Sequence, residues 1–184
     1  DLSHPRPSNA WQLSGDNDLL GGFTLGVVGD GGNASTAAPA AFSGSTLFDG
    51  SADDGYILKT RVLTDMPVSS GFSGGDFSAI VWFRCTNAGD ANRVIGFFEP
   101  AAGDPSAFLF ASATGHDWYG DDSVGFKIAT STVSRDTGWH MAYVEVDDGT
   151  HVGISVDDET LVTTALASNL QTSASNEFRV GYGH

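Results

Sequence analysis

The stretch GWHMAYVEVDDGTHVGISVDD, residues 138–158, decides the fold of this chain. In its first half, apolar residues alternate with larger or polar ones, as in a strand with one buried face: Ala142, Val144 and Val146. The second half repeats this pattern with Val152, Ile154 and Val156. Between the halves, Asp148-Gly149 accepts the positive φ angles of tight turns between twisted antiparallel strands. The sequence therefore predicts a β-hairpin.

Short apolar segments recur along the rest of the chain, separated by turns rich in Gly and Asp. We predict further strands at 11–13, 23–28, 46–49, 56–62, 77–85, 93–99, 107–111, 124–129, 160–165 and 178–182. No segment is preferred as a helix, and strands at this spacing are typical of an antiparallel sandwich. The sequence predicts one all-β domain over residues 1–184.

The composition narrows the classes of function. The formal net charge is −15, from 23 acidic and 8 basic residues, which argues against nucleic-acid binding because phosphates require a basic surface. No apolar window approaches the roughly 18 residues of a membrane-spanning helix. Cys85 is the single cysteine, so no intramolecular disulfide forms, and a small buried apolar role is expected for it.

Four segments resemble the laminin G-like, concanavalin A-like jelly-roll family. They are the Trp139-His140 pair opening the hairpin, FDGSADDGYI at 48–57, DFSAIVWFR at 76–84, and an opening segment with Trp11, Leu13, Gly15 and Asp18. Their order and spacing together cover nearly the whole chain. The resemblance implies a jelly-roll sandwich and a recognition module that binds glycans or a protein partner, in many members with one calcium ion.

The end of the chain departs from the resembled family. The segment Phe178-Arg179-Val180-Gly181 matches a strand that a final strand normally follows, but this sequence stops at His184. Either the last strand is missing, which would leave an edge that attracts another strand, or the topology differs. The departure suggests a piece of a larger protein or assembly.

The strand predicted at 77–85 is apolar on both faces. Ile80 and Trp82 point one way, and Phe77, Val81 and Phe83 point the other. Such a strand is covered on both sides, and because large exposed apolar patches are uncommon in monomers, we expect loops to fill the second face, with a partner as the alternative.

No catalytic site is expected. The segment 71–75, GFSGG, matches a nucleophile-elbow pattern but lacks the preceding strand and following helix that the motif needs. Glu145 and Asp147 resemble part of the E-x-D-x-x-E motif of jelly-roll glucanases, but Thr150 takes the place of the second glutamate. Retaining hydrolysis needs both carboxyl groups. Glu145 is therefore interpreted as an outward-facing strand residue, and His140 as a core or edge histidine.

The segment 115–122, GHDWYGDD, is interpreted as an aromatic, acidic loop that binds a ligand. Aromatic rings stack on the apolar faces of sugars, and carboxylates accept hydrogen bonds from hydroxyl groups. The candidate ligand-binding residues are His116, Asp117, Trp118 and Tyr119. The alternative places Trp118 in the rim of the core with Tyr119 shielding it.

A calcium site is expected at the turn containing Asp49, Asp53 and Asp54, because calcium binds several carboxylate and carbonyl oxygens on irregular backbone. The pairs at 121–122 and 157–158 are further candidates. We predict a non-catalytic recognition module at the cell exterior or on a virion surface. The alternative is a structural module, such as a capsid decoration or fibre domain, that forms oligomers.

Overall fold

The computed structural model describes residues 26–28, 33–35, 45–47, 55–58, 76–85, 92–98, 105–112, 115–122, 124–147, 149–170 and 177–181. Within these ranges the regular structure is entirely strand, with no helix. The strands are β1 (Gly26–Val28), β2 (Asn33–Ser35), β3 (Ser45–Leu47), β4 (Gly55–Leu58), β5 (Phe77–Phe83), β6 (Asn92–Phe98), β7 (Pro105–Ala111), β8 (His116–Asp122), β9 (Gly125–Thr130), β10 (His140–Asp147), β11 (His151–Val156), β12 (Val162–Ala165) and β13 (Glu177–Val180).

Two antiparallel sheets make up most of the described chain. The seven-stranded sheet has the order β1-β4-β13-β6-β7-β8-β9, and the four-stranded sheet has the order β12-β11-β10-β5. A separate ribbon pairs β2 with β3. Strand β13 lies inside the larger sheet, between β4 and β6, so the segment that resembles the family's penultimate strand is paired on both sides.

The predicted hairpin is confirmed. Strands β10 and β11 pair without interruption from Ala142↔Val156 to Asp147↔His151. Gly149 has a φ of 78°, in the left-handed region that favours glycine. The N–H of Thr150 donates to the carbonyl of Asp147 at 2.8 Å and closes the turn.

The core lies between the two sheets. From the hairpin, the alternating apolar residues of both strands are buried, as the sequence pattern predicts: Ala142, Val144, Val146, Val152, Ile154 and Val156. Opposite them, the larger sheet contributes buried side chains from β7, β8 and β9, including Leu109, Trp118 and Ala129. Burying these side chains supplies the main driving force for closing the sandwich.

The sheets approach closely at Gly120 of β8. A Cβ atom at this position would lie 2.6 Å from Val152 Cγ1 and 2.9 Å from Leu170 Cδ2. Only a residue without a side chain leaves room for β11 and the segment after β12 to pack at this distance.

One expectation about β5 is wrong. Phe83 is buried, and Phe77 and Val81 pack against the core, but Ile80 and Trp82 stay 66% and 44% exposed. This outer face is therefore only partly covered, and apolar groups of Ile80 and Trp82 lie on the surface.

Candidate functional site

The segment predicted as a ligand-binding loop is a strand. β8 pairs with β7 and β9 along its whole length, so its side chains alternate between the two faces of the sheet. His116 and Trp118 point into the core and are both 0% exposed, whereas Asp117 and Tyr119 are partly exposed on the outer face. The prediction of a loop is wrong. Because the backbone is paired as a strand, His116 and Trp118 lie on the buried face of the sheet, while Asp117 and Tyr119 lie on the outer face.

Trp118 is a core residue. Its indole Nε1 donates to the carbonyl oxygen of Glu145 across the sandwich at 3.0 Å, and its ring stacks against Phe77 at a centroid distance of 6.4 Å. No face of the ring reaches solvent, so Trp118 cannot stack on a sugar at the surface. The alternative considered for Trp118, a core position, is the one observed.

Tyr119 belongs to an aromatic patch on the outer face of the larger sheet, formed by Phe108, Tyr119, Phe126 and Ile128. Its ring stacks on Phe108 at 4.5 Å with an interplanar angle of 8°, and Phe126 meets it edge-on at 6.1 Å. Phe126 and Ile128 are 49% and 41% exposed. Burial, followed by the charge of Asp117, raises the pKa of the Tyr119 hydroxyl. A sugar-binding role for Tyr119 and Asp117 stays a prediction, and Phe108 already occupies one face of the Tyr119 ring.

A second exposed site lies on the outer face of the smaller sheet, where three polar side chains form a hydrogen-bonded row. The hydroxyl of Tyr143 donates to Glu145 Oε2 at 2.6 Å, and His151 Nε2 lies 2.8 Å from Glu145 Oε1. An ionised carboxylate only accepts hydrogen bonds, so His151 Nε2 carries the hydrogen in this contact. Glu145 therefore faces outward, as predicted, and is held by donors from two strands.

Burial, followed by the hydrogen bond to Glu145, raises the pKa of Tyr143 to about 12. The phenol therefore keeps its hydrogen near neutral pH and remains a donor to Glu145. The row is a pair of donors, from Tyr143 and His151, oriented toward the Glu145 carboxylate.

Strand pairing places apolar groups beside this row. Ile80 lies directly opposite Tyr143, and Trp82 lies opposite Met141. On the other side, a Cβ atom at Gly153 would lie 3.0 Å from Glu145 Cγ, so the Glu145 side chain lies across the bare backbone of Gly153. We name the surface formed by Ile80, Trp82, Tyr143, Glu145 and His151 the polar–aromatic face. It crosses β5, β10 and β11, a width of about 10 Å.

Sequence reasoning missed most of this face. Period-2 alternation does place Tyr143 on the same side of β10 as Glu145, opposite to the buried Val144. The signal for Trp82 was its alternation with Val81 and Phe83. The diagonal position of His151 relative to Glu145 depends on the register of the hairpin.

A buried histidine cluster occupies one end of the sandwich. The rings of His116 and His140 are 4.7 Å apart, and Phe83 packs edge-on against His116 at 5.4 Å. His140 Nδ1 lies 2.7 Å from Asp157 Oδ2, and Asp157 adopts a positive φ of 49°. The expectation of a core histidine at 140 is confirmed, although its partner is a carboxylate rather than the backbone.

Neither ring nitrogen of His116 makes a hydrogen bond of good geometry among the described residues, although the Val133 backbone lies close enough to affect its pKa. Burial, followed by the charge of His140, lowers the pKa of His116, while the Val133 backbone and then Asp157 act in the opposite direction. His116 is therefore held as a neutral ring inside the core.

Within the described ranges, no group of three or more His, Cys, Asp or Glu side chains is arranged to hold a metal ion. Asp122 instead accepts hydrogen bonds from the N–H groups of Val124 and Ala167, and Asp157 is engaged by His140 and Met141. The calcium site predicted at Asp49, Asp53 and Asp54 lies outside the described residues. No described helix is long and apolar enough to cross a membrane.

No family model and no curated protein matches this sequence. Several solved structures share its fold. A structure of botulinum neurotoxin type C, whose cell entry depends on interaction with two ganglioside molecules, matches with a TM-score of 0.61 at 11% identity, over 95% of this chain and 43% of that one. The binding domain of botulinum neurotoxin DC, in complex with rat synaptotagmin II, matches with a TM-score of 0.59 at 11% identity, over 96% and 49%.

Mouse laminin α1 domains LG4-5 match with a TM-score of 0.46 at 12% identity, over 67% of this chain and 31% of that one, a likeness too distant to bear on function. This chain spans less than half the length of each of these three chains. Together with the two antiparallel sheets, the comparisons define the fold class predicted from the sequence: an all-β jelly-roll sandwich.

Proposed function

We propose that this chain is a non-catalytic carbohydrate-recognition module and that the polar–aromatic face is its binding site. The observation that carries the proposal is the hydrogen-bonded row Tyr143–Glu145–His151 beside the exposed ring of Trp82. Solved structures with this fold include proteins described as interacting with gangliosides and as being in complex with rat synaptotagmin II, which supports recognition as the general role.

The face combines the two interactions that a sugar ring requires. An exposed indole offers an apolar surface for the C–H groups of a pyranose, and an oriented carboxylate accepts hydrogen bonds from its hydroxyls. The row is held in place before any ligand arrives, so binding orders few side chains and loses little conformational entropy. Its width of about 10 Å accommodates a short saccharide rather than a single small ion.

The test is a glycan-array screen of the purified chain, followed by affinity measurements on the ligands it identifies. We expect Glu145→Ala and Trp82→Ala each to weaken binding by about tenfold or more, since each removes an interaction worth roughly 1–2 kcal/mol. Phe126→Ala, at an exposed aromatic residue on the opposite sheet, is the matched control and should leave affinity within about twofold.

An array with no bound glycan would refute the proposal. Binding that persists in Glu145→Ala and Trp82→Ala but fails in Tyr119→Ala would transfer the site to the aromatic patch, which contains Tyr119, one of the residues predicted from the sequence.

The proposed setting of this recognition is the cell exterior or a virion surface.

Calcium enters this proposal only as an ion bound by Asp49, Asp53 and Asp54 that would assist the binding of a glycan. Running the screen with calcium and again with a chelator separates the two forms of the hypothesis. Loss of binding in the chelator, restored by added calcium, supports a calcium-assisted lectin. Equal binding in both conditions removes calcium from the mechanism.

A structural or assembly role is the second candidate, and the aromatic patch is the observation that favours it. Val124, which directly precedes β9, is 71% exposed, and Phe126 and Ile128 of β9 are also exposed, so three apolar side chains near one another in the sequence lie at the surface. If this patch joins the chain to other copies, light scattering will show an oligomer, and Phe126→Ser with Ile128→Ser will return it to a monomer. A monomer across the accessible concentration range would argue against assembly through this patch.

A further inference from the structure

The hydrogen atoms of the polar row are used within the row itself. The Tyr143 hydroxyl gives its only hydrogen to Glu145, and His151 Nε2 gives its hydrogen to the other carboxylate oxygen. The second ring nitrogen of His151 lies 3.7 Å from Asp147 Oδ2, so this side of the ring also faces a carboxylate. The Glu145 carboxylate keeps lone pairs that can accept further hydrogen bonds from a ligand.

Two carboxylates lie along the row. Glu145 and Asp147 are partly exposed on the outer face of β10, and the chain carries a net charge of −15. Arg84 follows the end of β5 and lies over the Trp139 ring at 5.5 Å, near the start of β10 and away from Glu145. A ligand centred on Glu145 therefore meets acceptors and negative charge.

From this polarity we infer that the polar–aromatic face selects saccharides rich in hydrogen-bond donors, protonated amino sugars first and neutral sugars next, and rejects sialylated or sulfated ones. The inference rests on the proposed function, because it assigns a ligand class to the same site. An ammonium group supplies three donors and a positive charge to the Glu145 carboxylate, whereas a sulfate or carboxylate offers only acceptors and repulsion. The indole of Trp82 adds a favourable surface for a cation as well as for a sugar ring.

The experiment compares oligosaccharides that share one backbone. Oligomers of glucosamine, of N-acetylglucosamine and of 6-sulfated N-acetylglucosamine are titrated near neutral pH at low and at moderate salt. They are accompanied by sialylated and asialo forms of a common galactoside. We expect the glucosamine oligomer to bind about tenfold or more tightly than the sulfated one, with a difference that shrinks as salt rises.

The variant Glu145→Gln tests the residue responsible. It keeps the size of the side chain but replaces one acceptor oxygen with a donor NH₂ group and removes the charge. We expect the preference for the amine over the sulfated oligomer to fall by about tenfold, with the sulfated oligomer gaining affinity. Asp121→Asn, at a carboxylate on the other sheet, is the matched control, since it changes the net charge equally but should leave the preference unchanged.

The outcomes separate the two proposals. Equal or tighter binding of the sulfated or sialylated forms would overturn the inference while carbohydrate recognition stands. An unchanged preference in Glu145→Gln, or an equal change in Asp121→Asn, would also overturn it, because the selection would then come from the overall charge of the chain. If no oligosaccharide binds in these titrations or in the array, the proposed function fails and the inference fails with it.

Discussion

Trp118→Ala is expected to destabilise the chain by about 3–5 kcal/mol, a large fraction of the stability of a typical domain. The indole is 0% exposed, packs against Phe77, and ties β8 to β10 through its hydrogen bond to the Glu145 carbonyl. The substitution leaves a cavity between the sheets and removes the hydrogen bond from Nε1 to the Glu145 carbonyl. Chemical denaturation followed by circular dichroism measures the change in the free energy of unfolding.

The matched control is Trp82→Ala, which removes the same side chain from a position where it is 44% exposed. We expect a change of about 0.5 kcal/mol or less, as for most surface substitutions. If Trp118→Ala does not fold, Trp118→Phe preserves most of the buried volume and should cost about 1–2 kcal/mol through the lost hydrogen bond. Similar losses for Trp118→Ala and Trp82→Ala would contradict the assignment of Trp118 to the core.

Acidification is expected to destabilise the fold through His116. The pKa of this buried ring is lowered in the folded state, whereas in the unfolded chain it returns to about 6.5. Below about pH 6.5 the unfolded state therefore binds the proton more readily, and the free energy of unfolding falls by up to about 1.4 kcal/mol per pH unit. The loss from this residue levels off once the pH is below the folded-state pKa.

Charged and polar groups near His116 affect how readily its ring binds a proton. His140 and, to a smaller extent, Arg135 oppose a positive charge on the ring, whereas the Val133 backbone and Asp157 favour it. Denaturation curves between about pH 8 and about pH 5 measure the effect. His116→Phe or His116→Leu should flatten the pH dependence in this window. His151→Gln, which changes a partly exposed histidine of the polar row, should leave it in place. Retention of the full dependence in both His116 variants would exclude this residue as its source.

The hairpin was predictable because its signals lie within one short segment and support one another: both strands alternate apolar and polar residues, and a turn sequence separates them. Apolar residues at every second position on both sides of a Gly149 turn can bury one face only by pairing, and burial of Val144, Ile154 and their neighbours follows. The same alternation placed Tyr143 and Glu145 on the outer face before any contact was known.

Strand β8 was misread because its composition resembles that of a turn. Gly115, Gly120 and several Asp residues have low strand propensity, and propensity is a weak guide when tertiary contacts decide. Gly120 is present because Val152 and Leu170 pack against its backbone. Asp122 is buried because backbone N–H groups after β8 and β12 bind its carboxylate. Apart from Val124, these partners are distant in sequence, so little in the local sequence distinguishes this strand from a loop.

The sequence alone determined the all-β class, the central hairpin and the side of β10 that faces outward, because these follow from alternation and turn chemistry within short segments. The tertiary structure decided that Trp118 is buried while Trp82 is exposed, since that depends on which face of each strand meets the opposite sheet. It also decided the polar–aromatic face, because the register of β5 and β11 against β10 places Trp82 and His151 on either side of Tyr143 and Glu145. Contacts between strands far apart in sequence are set by packing of the whole sandwich, and no local pattern contains them.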